Sequence, residues 1–384
     1  MSTSIPVAEL LRKIDRGERF LLLDVRNDEE FERWRVEGRH PVETIHRPYF
    51  GFIEDEALLD EVPRNRGPVY AICAKGDSSD LIAEMLRERG VQALNVEGGM
   101  LAYGAYLQPV RVPLDPDESE HFEIWQLNRR GKGCLSYVIR AGEDAIVVDP
   151  SRNVAEYETF VKNLGAHIAA VFDTHVHADH ISGGPSLAPR HNARYFVVGR
   201  SGLDTLHDGE QIHLGGEEGV TVSVKILSTP GHTPGSTSFL IGKNHLLTGD
   251  TLFVDSVGRP DLGGHVVEWG RMLFHTLTER FASLPDDLVI LPAHYASSTE
   301  IDADGVVCGR MGALRRTVPE LQIRTESDFV EAMRRSLQTP PPIYEQIIRV
   351  NLGERTVDEE TATEWELGKN QCAASVRRAT EVAS

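Results

Sequence analysis

Ten consecutive residues near the middle of the chain constrain its fold more than any other stretch. Val171 and Phe172 close an apolar run, and Asp173, Thr174, His175, Val176, His177, Ala178, Asp179 and His180 follow directly. Such a sequence reads as a strand that runs into a loop and delivers metal ligands there. Positions 175, 177 and 179 alternate, as side chains on one side of an extended segment do. Imidazole and carboxylate donors suit zinc, iron or manganese, whereas calcium takes oxygen throughout. Taken alone, the stretch is also compatible with a solvated, histidine-rich loop.

What sets that blander reading aside is the recurrence of compatible donors downstream, each beyond an apolar run. His232 lies in the turn-rich residues 228–235, after a predicted strand over 222–227. Asp250 closes the run 246–250, and His294 follows the run 288–293. Singly, these histidines read as capping or surface residues and the aspartate as a turn residue. Three strands that each end in a donor describe loops converging on one rim of a layered sheet.

A chain of 384 residues with a hydrophobic fraction of 40% is expected to build two cores rather than one. It contains no apolar run of membrane-spanning length, and its first residues lack the basic start and apolar core of a signal peptide. A cytoplasmic protein is therefore expected. The formal net charge of −19 argues against general electrostatic binding to nucleic acid or to an anionic membrane. Cys73, Cys134, Cys308 and Cys372 show no paired spacing, so neither a disulfide framework nor a structural zinc knuckle is indicated.

Upstream of the histidines, helix and strand alternate. The sequence predicts a helix capped by Ser4 and running to about Arg16, a strand over 20–25, and a helix capped by Asn27 or Asp28 that carries Phe31 and Trp34. A buried-type strand over 69–73 follows. This pattern predicts an α/β domain with a parallel sheet and helices on both faces. Cys73 sits where the last strand stops, and residues 73–78 lead into a helix with Leu81, Ile82, Met85 and Leu86 on one face. A loop so placed aims backbone N–H groups inward, and the helix dipole adds positive potential, which favours a thiolate or a bound anion. Spacing alone leaves an ordinary buried cysteine equally open. The proline-rich, acidic residues 109–120 read as a linker between domains over 1–108 and 121–384. Beyond it, short strands are expected over 122–127, 136–140, 145–148 and 168–172, with a helix from Ser151 or Asn153 to about Leu164.

Two resemblances add to this reading. Residues 21–26, the Cys73 loop, residues 90–100 and the pair Ala102, Tyr103 resemble a rhodanese domain spanning roughly residues 5–108. That resemblance implies that Cys73 is the persulfide-forming cysteine. Rhodanese loops often carry an arginine just after the cysteine and another near the loop end. Here Ala74 and Ser78 occupy those places and Lys75 is the loop's one cation, which disfavours thiosulfate as the sulfur donor.

Residues 174–180, 231–235, 248–253 and 292–294 resemble the metal motifs of the metallo-β-lactamase superfamily, over roughly residues 121–300. The implied fold is an αββα sandwich with a metal site at one edge, continued here by a C-terminal extension. Two chemistries fit. In a hydrolase resembling glyoxalase II, two zinc ions would be held, one by His175, His177 and His232, the other by Asp179, His180 and His294, with Asp250 as bridge. In an enzyme resembling persulfide dioxygenase, His175, His232 and Asp250 alone would hold one Fe(II), leaving positions open for substrate and O₂.

Residues 256–262, with Gly258, Arg259 and Asp261, are closer to the dioxygenases. So is the tail, through residues 305–315, Pro340 to Tyr344, Asn351 and residues 369–372. The rhodanese fusion points the same way, since a sulfur-carrying cysteine suits a persulfide-oxidising iron. The resemblance implies oxidation of glutathione persulfide, or a related thiol persulfide, by O₂ to sulfite and thiol. Arg259 and Arg315 would hold a substrate carboxylate, and His177, Asp179, His180 and His294 would orient ligands or water. Arg315 reads equally as a surface ion pair. Cys134 and Cys308 are taken as structural, while Cys372, homo-oligomer formation and the direction of sulfur flow at Cys73 stay open.

Overall fold

The computed structural model describes residues 2–203, 206–215, 221–262, 264–336, 343–371 and 373–374. The chain divides into two compact units, one of residues 1–108, 129–132 and 367–369, the other of 109–128, 133–366 and 370–384. No helix of the described residues is long and apolar enough to cross a membrane.

In the first unit the elements are β1 (Ser4–Ile5), α1 (Val7–Asp15), β2 (Leu21–Asp24), α2 (Asp28–Arg33), β3 (Thr44–His46), α3 (Tyr49–Glu54), β4 (Val69–Ile72), α4 (Asp77–Glu88), β5 (Ala93–Val96) and α5 (Gly99–Ala105). The strands form one parallel sheet in the order β1-β5-β4-β2-β3. Strand alternation sorts their side chains. Leu22, Tyr70 and Ile72 pack with Leu10, Leu11, Ile14, Met100 and Tyr103 on one face. Leu21, Leu23, Val69, Ala71 and Cys73 pack with Phe52, Leu59, Ile82, Ala83 and Leu86 on the other. Burying each such large apolar side chain is worth roughly 1.5–3 kcal/mol, so each helix is held by its apolar stripe.

Three local expectations need correction. Ser4 does not cap α1; Ser4 and Ile5 pair with Asn95 and Val96 as a short edge strand, because the residue before Pro6 is pushed toward extended backbone. Trp34 leaves α2 in an extended conformation and buries its ring, with its indole N–H donating to Gly131 O at 2.7 Å. Leu81 is 44% exposed, and the buried side of α4 consists of Ser79, Ile82, Ala83 and Leu86.

In the second unit, β6 (Gln108–Arg111), β7 (Glu123–Arg129), β8 (Cys134–Ala141), β9 (Asp144–Val148), β10 (His167–Phe172) and β11 (Arg194–Phe196) form one sheet in reverse chain order. A second sheet contains β12 (Gln211–Leu214), β13 (Val222–Ser228), β14 (Thr237–Ile241) and β15 (His245–Gly249). After β16 (Val257–Gly258), which lies outside it, the sheet is completed by β17 (Val289–Pro292) and β18 (Gly309–Arg310). Ile124, Leu135, Ile139 and Val148 of the first sheet meet Ile226, Phe239, Ile241 and Leu291 of the second in a shared core. Helices Val154–Asn163 and Gly184–Arg190 pack on β10. Leu273, Met311, Leu314 and Phe329, from three further helices, cover Leu246 and Ile290 of the second sheet. The result is the expected αββα arrangement.

The segment 109–120 is not a structureless connection. It holds most of edge strand β6 and the short helix Pro116–Ser119. Pro109 is compatible with an edge strand, where its missing N–H can face solvent without breaking a ladder.

Candidate metal centre and cysteine loop

The histidine loop leaves β10 at Phe172, and its neighbours arrive from other strands: β9 ends before Asp149, β13 leads to His232, β15 to Asp250 and β17 to His294. All of these side chains are buried. His175, His232 and Asp250 place one potential ligand atom each within 4.8 Å of the others. His175 Nε2 is 3.8 Å and His232 Nε2 3.6 Å from Asp250 Oδ2. None of these three atoms has a hydrogen-bond partner among the described residues. Burying unpaired polar atoms costs free energy, and a cation at their point of convergence satisfies all three at once.

The opposite edge of each group is tied down. His232 Nδ1 donates to Arg259 O at 2.8 Å, which leaves Nε2 with its lone pair. His175 Nδ1 lies 2.9 Å from Thr174 Oγ1. The Thr174 hydroxyl in turn donates to the Asp149 carboxylate at 3.0 Å, so it accepts from the ring and again leaves Nε2 free to ligate. Asp250 Oδ1 takes His294 Nδ1 at 2.6 Å. Burial, with His177 alongside, holds His175 well below the ordinary histidine range, and burial also lowers His232. Burial opposes the charge of Asp250, yet His294 and His175 keep its carboxyl below the usual range. Two neutral imidazoles and one carboxylate are the protonation states that metal binding requires.

Two glycines allow this crowding. Gly249 adopts φ +55°, and a Cβ there would sit 2.6 Å from Thr174 Oγ1. A Cβ on Gly258 would lie 1.8 Å from the Asp250 carbonyl oxygen.

The remaining candidates are arranged differently. Asp179 accepts from His180 Nδ1 at 3.0 Å, from His294 Nε2 at 3.1 Å and from Cys134 Sγ at 3.1 Å. Burial works against these charges, but His294 and His180 hold Asp179 well below its usual range, and Asp179 raises His180 to about 10. Cys134, Asp179, His180 and His294 thus form a second donor cluster. His177 directs Nε2 to Asp149 at 3.1 Å, while its Nδ1 is buried without a partner.

Arg259 is buried, and its fork is met by Asp261, at 2.7 and 2.8 Å. Arg315 pairs with Asp286 and donates to the carbonyls of Phe281, Ala282 and Leu284. These contacts belong to a helix-terminal ion pair, the alternative that its sequence context left open.

Further residues support the centre. Asp149 closes β9 as Asp250 closes β15, a pattern visible in the sequence, and it holds φ +52°. Cys134, expected to be structural, lies against Asp179 because β8 and the His294 segment are joined by an isolated bridge. Asn351 Nδ2 donates to the carbonyls of His177 and His180, at 2.8 and 2.9 Å, so the tail holds the histidine loop. Cys372 and Pro340 to Pro342 lie outside the described residues.

In the first unit, Cys73 ends β4 and is 6% exposed. Its Sγ lies 3.1 Å from Gly76 N and 3.2 Å from Ser79 Oγ. Gly76, at φ +108°, turns the chain so that its N–H points back at the sulfur. A pocket of about 260 Å³ opens beside Cys73, between the loop and residues of α3.

Comparison with known proteins agrees with this geometry. Residues 129–294 match the model of the metallo-beta-lactamase superfamily and residues 6–106 that of the rhodanese-like domain. The bovine mitochondrial persulfide dioxygenase ETHE1 is 30% identical over 220 residues, which cover 55% of this chain and 80% of that protein. The crystal structure of ETHE1 from Myxococcus xanthus is similar with a TM-score of 0.51 at 27% identity, covering 59% of this chain and 96% of that one. A metallo-beta-lactamase structure from Staphylococcus aureus gives a TM-score of 0.54 at 27% identity, over 60% of this chain and 72% of that one. The chain therefore belongs to the metallo-beta-lactamase superfamily, as a persulfide dioxygenase-like member with an N-terminal rhodanese-like domain.

Proposed function

We propose that this protein is a non-haem iron persulfide dioxygenase, converting a small thiol persulfide such as glutathione persulfide and O₂ to sulfite and thiol, with sulfur transfer at Cys73. The observation that carries the reading is the convergence of three buried, unpartnered atoms, His175 Nε2, His232 Nε2 and Asp250 Oδ2. Two imidazoles and a carboxylate suit one Fe(II), which when bound supplies open positions and redox chemistry for sulfur and O₂. The similarity to persulfide dioxygenases supports the same assignment.

The chain's own residues have distinct tasks. Asp149, through Thr174, orients His175, and the Arg259 carbonyl orients His232. Asp250 is held by His294, which reaches Asp179 with its other nitrogen. These outer contacts fix the tautomers and directions of the ligands. Arg259 is the candidate for a substrate carboxylate; the substrate would compete with Asp261 for its fork. In the rhodanese-like domain, the Gly76 N–H stabilises anionic sulfur at Cys73, while the Ser79 hydroxyl lies 3.2 Å from the sulfur and donates its proton to Asn95 Oδ1 at 2.7 Å.

A second reading, a two-zinc hydrolase of glutathione thioesters, has its own support in the Cys134, Asp179, His180 and His294 cluster and in the unpartnered His177 Nδ1. Metal analysis of the purified protein, combined with oxygen uptake, separates the two. The dioxygenase requires near one iron per chain and O₂ consumption that depends on added glutathione persulfide. Two zinc ions per chain with rapid hydrolysis of S-lactoylglutathione would refute it.

A further inference from the structure

The Cys73 pocket is poorly equipped for a compact dianion. Of its two cations, Arg26 is committed: Nε and Nη2 meet Asp24 at 3.0 and 2.7 Å, and Nη1 and Nη2 donate to the carbonyls of Glu30 and Trp34 at 3.0 and 2.6 Å. Lys75 is exposed, a hydrated point charge rather than a fork. Against it stand the exposed carboxylates of Glu30 and Asp77, which also line the pocket and have no partner among the described residues. Asp77 opens α4, so its own carboxylate already meets the positive end of the helix.

The pocket's other wall is organic in character. Tyr49 and Phe50 line it with rings 4.0 Å apart, and Phe50 is 60% exposed. Its volume of about 260 Å³ is below that of pockets enclosing drug-sized ligands, which fits a molecule near the size of an amino acid. One lysine, two carboxylates and two aromatic rings describe a site for a small organic body bearing a positive group.

We infer that Cys73 exchanges sulfur with an organic persulfide carrying an ammonium group, such as a cysteine-type persulfide, rather than with thiosulfate. The Cys73 thiolate attacks the outer sulfur of R–S–SH. The R–S to S bond breaks as the new S–S bond forms, leaving Cys73–S–S⁻ and RSH, which keeps the proton; no outside oxidant or reductant is needed. Glu30 and Asp77 face the ammonium group, Tyr49 and Phe50 the carbon skeleton, and the Gly76 N–H the sulfur anion.

This inference rests on the sulfur-transfer half of the proposed function, so the test reads loading of Cys73 on the full-length protein without O₂. Added sulfur is followed by intact mass against cysteine persulfide, 3-mercaptopropionate persulfide and thiosulfate, with Cys73→Ser as the blank for other cysteines. Cysteine persulfide is expected to load at least about tenfold faster than either alternative. In the Glu30→Gln/Asp77→Asn double variant, both exposed positions, that advantage over mercaptopropionate persulfide shrinks. Thiosulfate loading as fast as cysteine persulfide, or no discrimination between the two persulfides, overturns the inference. Oxygen uptake, measured separately, reports on the iron reading: normal uptake with failed loading condemns only the Cys73 proposal, and the converse only the dioxygenase.

Discussion

Cys73 and the group of His175, His232 and Asp250 both lie at strand ends, yet they are assembled from very different lengths of chain. Among the described residues, the polar contacts to Cys73 Sγ come from Gly76 N and Ser79 Oγ, within one strand-loop-helix turn. The histidine centre draws on Asp149, Thr174, His175, His232, Asp250, Arg259 and His294, brought together by two sheets. The satisfaction of polar atoms is also inverted. Around Cys73 the Gly76 N–H already meets the sulfur and the Ser79 hydroxyl already has Asn95 as its acceptor, whereas His175, His232 and Asp250 each keep a buried atom unpaired. A local loop can prepare a nucleophile, but an open metal site needs a folded scaffold that holds unpaired donors against their desolvation cost.

The contrast implies that the two sites fail independently. The largest effect is expected from Cys73→Ser, which should abolish sulfur loading by mass while O₂ uptake from added persulfide stays within about twofold, each substitution acting only on its own chemistry. Unchanged loading would remove Cys73 from the mechanism. Asp250→Ala should show the converse, a loss of iron and of O₂ uptake beyond the roughly 100-fold typical of outer contacts, with Cys73 loading preserved. Retained iron would show that Asp250 is not a ligand.

Thr174→Val probes the link between Asp149 and His175. Iron affinity should fall about 10- to 100-fold in a competitive chelator titration, since the ring loses its orienting partner; an unaltered affinity would make the link structural only. Asn351→Ala strips partners from two buried carbonyls of the histidine loop and should cost about 1–3 kcal/mol in denaturant unfolding. Smallest of all, Leu81→Ser on the exposed side of α4 should change stability by no more than about 0.5 kcal/mol. A larger loss would restore Leu81 to the helix's packed face.

How much of this was legible in sequence follows from how far each interaction reaches. The parallel sheet of the first domain, the strand ending at Cys73 and the donors at residues 175, 232, 250 and 294 were readable, because apolar runs, turn residues and donor types are local signals. The edge strand at Ser4 and Ile5 was misread for want of its partner β5, and β6 because its prolines resemble a linker. Likewise Cys134 gave no sign of chemistry, since only the pairing of its strand with the His294 segment carries it to Asp179.

By itself, the amino-acid sequence determined that donor side chains and Cys73 follow the ends of apolar strands. Only the tertiary structure decided which of seven donors stay unpaired. It left one atom each of His175, His177, His232 and Asp250 open, turned His180 and His294 toward Asp179, and engaged Arg259 with Asp261 and Arg315 with Asp286. The physical reason is that a hydrogen bond between buried groups depends on distances of a few tenths of an ångström and on side-chain direction, and sequence spacing encodes neither, whether the partners are adjacent, as His180 and Asp179 are, or far apart, as His294 and Asp179 are.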